Sequence, residues 1–437
     1  MKYIPYLCGV KSNNYIMADL VYKPRIADSL LAEVLPSAGA VLIQGAKWCG
    51  KSTTALQIAK SSVMLGNPQV FRSAQELVLS NPSYLLSGET PRLFDEWQTI
   101  PELWDSIRYE VDMRRAKAQF ILTGSATPIN TDKIKHTGTG RYAWIRMRPM
   151  SLWESGESTG EVSLKALFDG QTRIIGQNKW GLQDIAFMLC RGGWPATLDE
   201  SVDVALQTSY NYVDALAESD LSRADNTLRN PRRIRLLLRS LGRLQASQAP
   251  LSTIRADMLA NDESSLSEHT IASYLTALEN VFVVEDMPAW STNLRSKTAI
   301  RTGNNRYFVD PSIAVAAMGI TPDKLMEDIE TFGLLFETMA VRDLRVYADA
   351  LDAKVYHYRD KDGLECDAVI ELRNGRYGLV EIKLGGGYGV EEAQRTLNKL
   401  HKKIDTDKAG ETAFRMVLTA TGMYAYALKD GTLVVPI

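Results

Sequence analysis

The chain has 437 residues, enough for about three domains of ordinary size, so a single small module is excluded. Hydrophobic residues make up 45% of it and charged residues 23%, which is a globular composition and excludes a disordered chain. Lys plus Arg number 50 against 52 for Asp plus Glu, a net charge of -2. This balance excludes a global cationic field that would hold nucleic acid or a membrane, so any nucleic-acid contact requires a local patch.

The positions of the cysteines and the lengths of the apolar segments indicate in which compartment we expect the protein. Cys8, Cys49, Cys190 and Cys366 are widely separated, which argues against a disulfide scaffold and against a thiolate zinc site. The apolar N-terminus is interrupted by Lys11–Asn14, and no run of about 18 apolar residues follows. We therefore expect a cytoplasmic protein without a membrane partner, with carboxylates and hydroxyls as its metal ligands.

Short apolar runs alternate with helical stretches from about residue 22 to residue 152. Each run ends in polar or glycine-rich residues; the runs are Ala40–Ile43, Leu93–Phe94 and Phe120–Leu122. This alternation predicts an α/β domain with a parallel sheet. We assign residues 22–184 to this domain and residues 1–21 to an N-terminal extension.

The segment 185–323 is predicted to be mainly helical. Apolar residues recur at helical spacing in Ile234–Leu241 and in Ile271–Leu278, and the strand-like run Val281–Glu285 follows. Helix, turn, helix and strand predict a winged-helix middle domain, although a helical bundle would give much the same pattern.

Residues 324–437 are expected to form a third domain, with the element order α-β-β-β-α-β. Helices are predicted near Gly333–Tyr347 and over Glu391–Lys402. The strand-like runs are Lys354–Tyr358, Cys366–Leu372, Gly378–Lys383 and Met416–Thr419. This order is typical of a separate α/β domain.

The octapeptide Gly45–Ser52 matches the pattern G-x-x-x-x-G-K-[ST] at every fixed position, between a strand run and the helical stretch Thr53–Lys60. Its glycines allow the backbone to wrap a phosphate, so that loop N–H groups and the helix N-terminus face negative charge. Lys51 is expected to reach the β- and γ-phosphates, and Ser52 to ligate Mg²⁺. A chance match in a turn is the alternative, which the flanking elements disfavour. The residues expected to bind ATP are Gly45, Ala46, Lys47, Trp48, Cys49, Gly50, Lys51, Ser52, Thr53 and Ser125.

An acidic pair, Asp95 and Glu96, follows the second strand run. Asp95 is expected to join Ser52 in holding Mg²⁺, and Glu96 is expected to polarise the attacking water. Such a pair is also common on an ordinary protein surface. Downstream of a phosphate-binding loop, however, it indicates nucleotide hydrolysis.

Two further groups are candidates for contact with the γ-phosphate. The third strand run ends in Thr123, Gly124 and Ser125, whose hydroxyls are placed where a sensor of that phosphate would sit, and a strand-capping turn explains the same residues equally well. Arg141 could be an arginine finger that acts on its own or a neighbour's nucleotide, or an ordinary surface residue. Because a finger in trans requires a neighbour, a homo-oligomer is a candidate assembly.

The sequence resembles the bacterial and archaeal AAA-superfamily P-loop ATPases whose C-terminal half is domain of unknown function 4143. The resemblance extends from about Tyr22 over nearly the whole length and rests on the segments Gly45–Ser52, Asp95–Gln98, Pro101–Leu103, Phe120–Ser125 and Gly140–Arg141. Trp97 departs from the family pattern, since an aliphatic residue is usual there. The resemblance implies ATP and Mg²⁺ as cofactors and ATP hydrolysis as an activity.

Two carboxylates and a lysine are expected to meet in the last domain. Glu381 and Lys383 share one face of a strand, and a hairpin would bring Asp367 beside them. The group could bind Mg²⁺ and orient a water for attack on a phosphodiester, with Lys383 as a catalytic cation. With Glu337 as a further metal ligand, it resembles the PD-(D/E)XK nuclease superfamily, which implies a restriction-endonuclease-like α/β fold. A surface ion pair is the alternative.

A row of arginines in the middle segment lies at spacings of three and four residues, on one helical face: Arg232, Arg235, Arg239 and Arg243. It could contact phosphates, or be the solvated side of an amphipathic helix. The sequence therefore predicts an Mg²⁺-dependent AAA-type ATPase coupled to DNA binding or processing through a nuclease-like domain. The alternative is a nucleotide-switched protein-interaction module whose nuclease-like domain is inactive and serves as a docking surface.

Overall fold

The computed structural model describes residues 22–127, 137–223, 227–260, 266–291, 303–404 and 409–437. The predicted extension, residues 1–21, lies outside the described residues. Two compact units are present. The first contains the chain up to Arg148 together with Leu221–Leu228 and Asn280–Phe282, and the second contains Pro149–Asp220, Arg229–Glu279 and Val283–Ile437. The predicted domain boundaries after residues 184 and 323 stay predictions.

The first unit is built on a parallel sheet. Its strands are β1 (Ala40–Gln44), β2 (Ser61–Met64), β3 (Arg92–Asp95), β4 (Phe120–Gly124) and β5 (Tyr142–Arg146). Its helices include α1 (Ile26–Val34), α2 (Lys51–Ile58), α3 (Pro68–Ser80), α4 (Pro82–Leu86) and α5 (Glu102–Arg114). The strand order is β2-β3-β4-β1-β5, and every pairing is parallel. The predicted parallel-sheet α/β fold of the N-terminal region is therefore confirmed.

The strands of this unit that the sequence predicted are the buried ones, and its partly exposed strands were not predicted. Residues Ala40–Ile43 of the interior strand β1 are fully buried, as expected for a parallel strand covered on both faces. The edge strands β2 and β5 carry partly exposed and polar positions and were not predicted. Trp97 and Trp104 belong to a core cluster with residues of β3 and β4. Burial of each large side chain of this kind contributes roughly 1.5–3 kcal/mol.

The strand order brings the polar strand ends together. Strands β1, β3 and β4 end at Gln44, Asp95 and Gly124, and β4 lies between the other two. Because the strands are parallel, all three carboxyl ends lie at one edge of the sheet, where open α/β sheets bind their ligands.

The chain between β5 and the next strand is mainly helical, as predicted. Its helices are α6 (Leu152–Ser155), α7 (Leu164–Phe168), α8 (Leu182–Arg191), α9 (Val202–Ala215), α10 (Leu221–Arg223), α11 (Pro231–Arg243), α12 (Leu251–Leu259) and α13 (Glu268–Asn280). Strands β6 (Val284–Met287) and β7 (Asn305–Phe308) follow and pair antiparallel. β6 begins later than the predicted run Val281–Glu285, because Phe282 has a left-handed φ of 62° that interrupts the extended backbone. The winged-helix assignment stays a prediction.

The last part of the chain has the expected order α-β-β-β-α-β, followed by two short strands. Its helices are α14 (Pro311–Met318), α15 (Pro322–Glu327), α16 (Ile329–Asp349) and α17 (Gly387–Lys403). Its strands are β8 (Ala353–Arg359), β9 (Glu365–Leu372), β10 (Tyr377–Lys383), β11 (Thr412–Thr419), β12 (Tyr426–Ala427) and β13 (Leu433–Pro436), in the sheet order β12-β13-β11-β10-β9-β8. In the ranges that the structure describes, no helix has both the length and the apolarity needed to cross a membrane.

A buried ionic network anchors α16. Arg342 Nη1 donates to Asp310 Oδ2 at 2.7 Å, and Arg342 Nη2 lies 2.7 Å from Asp343 Oδ1. The backbone N–H of Gly193 donates to Asp310 at 2.9 Å, and that of Leu152 donates to Asp343 at 3.0 Å. Two carboxylates and two backbone amides thus hold α16 to three other segments of the second unit.

Candidate functional site

The predicted phosphate loop connects β1 to α2 in a tight turn. Gly50 has a φ of 102° and caps α2, so the helix begins at Lys51. A Cβ atom at Gly45 would lie 2.0 Å from the carbonyl oxygen of Met147, which leaves room only for glycine. Trp48 also has a left-handed φ, 67°, and its side chain is half-exposed. The loop therefore leads directly into the N-terminus of α2, and the N-terminus of a helix is a favourable position for a phosphate.

A buried arginine braces this loop. Arg25 Nη1 donates to the carbonyl oxygen of Cys49 at 2.8 Å, and Nη2 donates to that of Arg148 at 2.8 Å. Cys49 Sγ in turn donates to the carbonyl oxygen of Met147 at 3.6 Å. Sequence reasoning missed Arg25, because an isolated arginine ahead of α1 belongs to no motif. Its two charged hydrogen bonds hold the loop backbone in place.

Three predicted site residues meet at the carboxyl edge of the sheet. Lys51 is buried, and its Nζ donates to the carbonyl oxygen of Ala46 at 2.8 Å. Ser52 Oγ donates to Asp95 Oδ1, and the same oxygen accepts from Thr123 Oγ1 at 2.6 Å. Thr123, which the sequence named together with Ser125 as a possible sensor of the γ-phosphate, thus contacts the predicted metal ligand Asp95.

The side chains of Ser52 and Asp95 fit an Mg²⁺ ion. Hydroxyl and carboxylate oxygens are the ligands that Mg²⁺ takes in proteins, usually one or two of them, with phosphate and water oxygens completing the shell. Asp95 is buried, and its Oδ1 accepts from two neutral hydroxyls, those of Ser52 and Thr123. A cation beside it would compensate the buried negative charge.

Glu96 lies directly after β3 in a strained conformation. Its φ of 58° and ψ of 43° are left-handed, which is uncommon for a residue other than glycine and is often found at functional sites. Glu96 Oε2 accepts from Ser125 Oγ at 2.7 Å and also from Gln98 Nε2. The hydroxyl of Ser125, predicted to sense the γ-phosphate, is thus bonded to the predicted catalytic base.

Arg141 lies far from this edge. It directly precedes β5, and its carbonyl oxygen accepts from the N–H groups of Gly39 and Ala40 at the start of β1. A strand of five residues, about 16 Å at 3.3 Å per residue, separates that end of the sheet from the phosphate loop. In this structure Arg141 therefore does not lie beside the phosphate loop of its own chain, and its action on that nucleotide stays a prediction. Its guanidinium pairs instead with Asp112 at 2.8 Å, and a role toward a neighbour's nucleotide stays a prediction.

The predicted C-terminal cluster is brought together by the β9–β10 hairpin. Lys383 Nζ lies 3.2 Å from Asp367 Oδ2 and 2.8 Å from Glu381 Oε2. Asp367 also accepts from the backbone N–H of Ile382 at 2.7 Å. Glu337, on α16, accepts from the hydroxyl of the fully buried Tyr307 at 2.8 Å. Sequence reasoning missed Tyr307, since an aromatic residue in a strand carries no signal of such a contact.

The electrostatics of this cluster show crowded negative charge. Burial, followed by the charge of Asp367, raises the pKa of Glu337 well above its usual range. The same two causes raise the pKa of Glu381 to about 8. Burial alone would lower the pKa of Lys383, but the charges of Asp367 and Glu381 outweigh it and raise that pKa. A divalent cation would relieve the repulsion between the carboxylates.

The carboxylates do not, however, form a ready-made metal centre. Within the described ranges, no three His, Cys, Asp or Glu side chains converge as they would around a metal ion. In this structure Glu337, Asp367 and Glu381 are therefore not arranged as three ligands around one point. The ammonium group of Lys383 already neutralises two of them, so a metal would have to displace it. Their role as metal ligands stays a prediction.

The arginine row on α11 is partly neutralised by acidic residues. Arg235 pairs with Asp214 at 2.9 Å and with Glu218 at 2.8 Å. Arg243 also pairs with an aspartate, Asp257. These pairs favour the interpretation of this face as the solvated side of an amphipathic helix.

The fold and the site define the N-terminal region as an AAA-type P-loop domain. Residues 37–155 match the family described as an AAA domain. Residues 182–324 match a domain of unknown function, DUF8612, and residues 332–437 match another, DUF4143. The resemblance to an AAA ATPase that carries domain 4143 is confirmed at this level. It supports nucleotide binding and hydrolysis by the first domain.

Two mycobacterial proteins are similar to most of the chain. The uncharacterized proteins Rv2008c of Mycobacterium tuberculosis and Mb2031c of Mycobacterium bovis are each 22% identical in an alignment of 427 residues that covers 95% of this chain and 84% of theirs. Among solved structures, the Walker-type ATPase PABY2304 of Pyrococcus abyssi is similar with a TM-score of 0.41 and 18% identity. That match covers 68% of this chain and 96% of the archaeal protein.

Proposed function

We propose that this protein is an Mg²⁺-dependent ATPase whose N-terminal domain binds and hydrolyses ATP. The observation that carries the proposal is the contact between Ser52, at the start of α2, and Asp95, at the end of β3. The start of a helix and the end of a strand, 43 positions apart in sequence, thereby bring a hydroxyl and a carboxylate together beside the phosphate loop. This is the arrangement in which P-loop enzymes hold the metal ion of a nucleotide.

Each residue of the site has a defined task in this proposal. Backbone N–H groups of the loop Gly45–Ser52 donate hydrogen bonds to phosphate oxygens. Lys51 gives up its hydrogen bond to the carbonyl oxygen of Ala46 and contacts the β- and γ-phosphates instead. Ser52 and Asp95 hold the metal ion, which when bound supplies positive charge to the same oxygens. Glu96 orients the attacking water and accepts its proton.

The proposal is tested by steady-state ATP hydrolysis of the full chain. Lys51→Ala is expected to abolish hydrolysis and to weaken nucleotide binding, because a buried cation is removed from the phosphate loop. Lys117→Ala, at an exposed position of the same unit, is the matched control and should behave as the wild type. Hydrolysis by Lys51→Ala at the wild-type rate would overturn the assignment.

Substitution of Glu96 separates binding from turnover. Glu96→Gln keeps the shape of the side chain but cannot accept a proton, so ATP should still bind while turnover falls by about 10²–10⁴-fold. Binding is measured by calorimetry and turnover by phosphate release. If the variant turned over ATP normally, Glu96 would not be the base.

A second candidate function is cleavage of a nucleic-acid phosphodiester by the last domain, with ATP controlling access. The observation that favours it is the contact of Lys383 with both Asp367 and Glu381, next to Glu337, in an α-β-β-β-α-β arrangement. In this proposal the carboxylates would hold Mg²⁺, and Lys383 would stabilise the negative charge that develops on the phosphate as the sugar oxygen leaves. The resemblance to PD-(D/E)XK nucleases supports the same interpretation.

Cleavage of plasmid and single-stranded DNA tests this second candidate. Wild type is compared with the double variant Asp367→Ala, Lys383→Ala, with Mg²⁺ or Mn²⁺ and with or without ATP. Glu365→Ala, which removes an exposed carboxylate of β9 paired with Arg359, is the matched control. Cleavage by wild type and control alone supports a nuclease. No cleavage, with ATP hydrolysis intact and no metal binding by calorimetry, supports the nucleotide-switched interaction module.

A further inference from the structure

We propose that Gln98 is a positioning residue that holds the catalytic base Glu96 by one of its two carboxylate oxygens. The inference rests on the proposed ATPase function and adds to it a residue outside the phosphate loop and the acidic pair. Gln98 is expected to touch neither the nucleotide nor the metal ion. It would act on the rate of hydrolysis through Glu96 alone.

The backbone after β3 brings Gln98 back toward Glu96. A 3₁₀ turn over Trp97–Thr99 follows Glu96, and the carbonyl oxygen of Glu96 accepts from both the N–H and the hydroxyl of Thr99, at 3.1 and 2.8 Å. The N–H of Glu96 donates to Thr123 Oγ1 at 3.2 Å. Both ends of the Glu96 peptide are therefore fixed, in spite of its left-handed φ.

The side-chain contacts select one oxygen of the base. Gln98 Nε2 donates to Glu96 Oε2, Ser125 Oγ donates to the same oxygen at 2.7 Å, and Gln98 Nε2 lies 3.4 Å from Ser125 Oγ. Within the described residues, both of these donors meet at Oε2 and none meets Oε1. Oε1 of Glu96 is thereby left to accept the proton of the attacking water, in an orientation that the two donors define.

The other end of the Gln98 amide shows that stability alone does not explain this residue. Its Oε1 is inaccessible to solvent and has no hydrogen-bond partner in the part of the chain that the structure describes. A buried hydrogen-bond acceptor without a partner is unfavourable for stability. A methionine would fill the same space without burying such an acceptor. The amide cannot be reversed to relieve this, because its oxygen would then face the carboxylate of Glu96. Gln98 thus leaves one buried acceptor without a partner, which is unfavourable for stability, while its amide nitrogen donates to the base Glu96.

The test is the kinetics of the full-length variant Gln98→Met, which has nearly the same side-chain length and no donor. We expect kcat for ATP to fall about 10-fold to 100-fold, with KM and the Kd for ADP within about twofold of wild type, because positioning of the base affects only the chemical step. Gln57→Met, the same substitution at an exposed position of α2, should leave all three constants unchanged. Gln98→Glu, which replaces the donor by an acceptor, should lower kcat at least as much.

A double variant separates positioning from a general structural role. In the Glu96→Gln background the base is already absent, so adding Gln98→Met should have no further effect on kcat. The inference is overturned if Gln98→Met retains wild-type kcat, if its loss adds fully to that of Glu96→Gln, or if KM rises as kcat falls. A wild-type chain without ATP hydrolysis would overturn the proposed function itself, a result that is distinct from all three.

Discussion

Asp95 Oδ1 accepts hydrogen bonds from two hydroxyls that come from different elements, Ser52 Oγ at the start of α2 and Thr123 Oγ1 at the end of β4. The two contacts have different consequences. The hydroxyl of Ser52 can ligate a metal ion through an oxygen lone pair while its hydrogen stays bonded to Asp95, whereas Thr123 contacts Asp95 from β4 without being a predicted metal ligand. Asp95 would therefore be oriented by β4 as well as by the residue that shares the metal ion with it.

Thr123→Val tests this division of tasks. The substitution keeps the shape of the fully buried side chain and removes its hydroxyl, so Asp95 loses one donor and the N–H of Glu96 loses its acceptor. We expect a loss of about 1–3 kcal/mol in the free energy of unfolding. Because the metal ligand is less well oriented, a higher Mg²⁺ concentration should be needed for half-maximal hydrolysis. Wild type and Thr123→Ser are the reference proteins. Val63→Thr is not used as a control, because it would bury a new hydroxyl.

The Mg²⁺ concentration for half-maximal hydrolysis is compared between wild type, Thr123→Ser and Thr123→Val. Thr123→Ser retains a hydroxyl and should recover most of the Mg²⁺ response. An unchanged Mg²⁺ dependence in Thr123→Val would show that Ser52 alone orients Asp95.

Arg25→Met should loosen the phosphate loop. Arg25 is buried and supplies charged donors to the carbonyl oxygens of Cys49 and Arg148, which methionine cannot replace. The free energy of unfolding should fall by about 2–3 kcal/mol. The Kd for ADP should rise, because the loop is no longer held in its binding shape. Arg72→Met, at an exposed position of α3, is the matched control and should change neither quantity.

The parts of the fold and site that the sequence predicts are those with local signals. β1 is a continuous apolar run followed at once by the phosphate-loop motif, and Asp95 ends an apolar strand. β2, with the sequence Ser-Ser-Val-Met, is an edge strand that buries only part of its surface, so its pattern is weak. A strand held by one neighbour needs no apolar run of its own.

The contacts that complete the site depend on tertiary structure. Arg25 reaches Arg148, 123 positions away in sequence, and Tyr307 on β7 reaches Glu337 on α16. Gln98 could be quoted as part of a motif, but its contact with Glu96 follows only from the turn after β3. Arg141 is the opposite case. Its residue type suits a contact with a phosphate, but the structure places it at the start of β1, at the end of the sheet away from the phosphate loop.

Arg342→Met should destabilise the second unit strongly. The guanidinium is 2% exposed and contacts Asp310 and Asp343, so its removal leaves two buried carboxylates without their cation. We expect a loss of about 3–5 kcal/mol in the free energy of unfolding. Arg373→Met breaks an ion pair with Asp352 in which the arginine is 81% exposed, and should cost at most about 1 kcal/mol. Equal losses in urea unfolding would contradict this ranking.

Asp343 should make stability depend on pH. Burial raises the pKa of Asp343 to about 6 although Arg342 opposes the shift, whereas an aspartate in an unfolded chain has a pKa of about 3.9. Between these two values the folded chain holds a proton that the unfolded chain has released. This group therefore stabilises the fold most below pH 4, and its contribution is lost as the pH rises to about 6, by at most about 1.4 kcal/mol per pH unit.

Urea unfolding of wild type and Asp343→Asn at several pH values from 4 to 7 checks this sign. The asparagine cannot titrate, so the difference in unfolding free energy between the two proteins should shift in favour of the variant as the pH rises through this window and should be constant above it. Asp352→Asn, at an exposed position, provides the control and should follow the wild-type curve. Parallel curves for wild type and Asp343→Asn would mean that Arg342 keeps Asp343 ionised throughout the range, and that the buried network is fully charged at every pH at which the protein is folded.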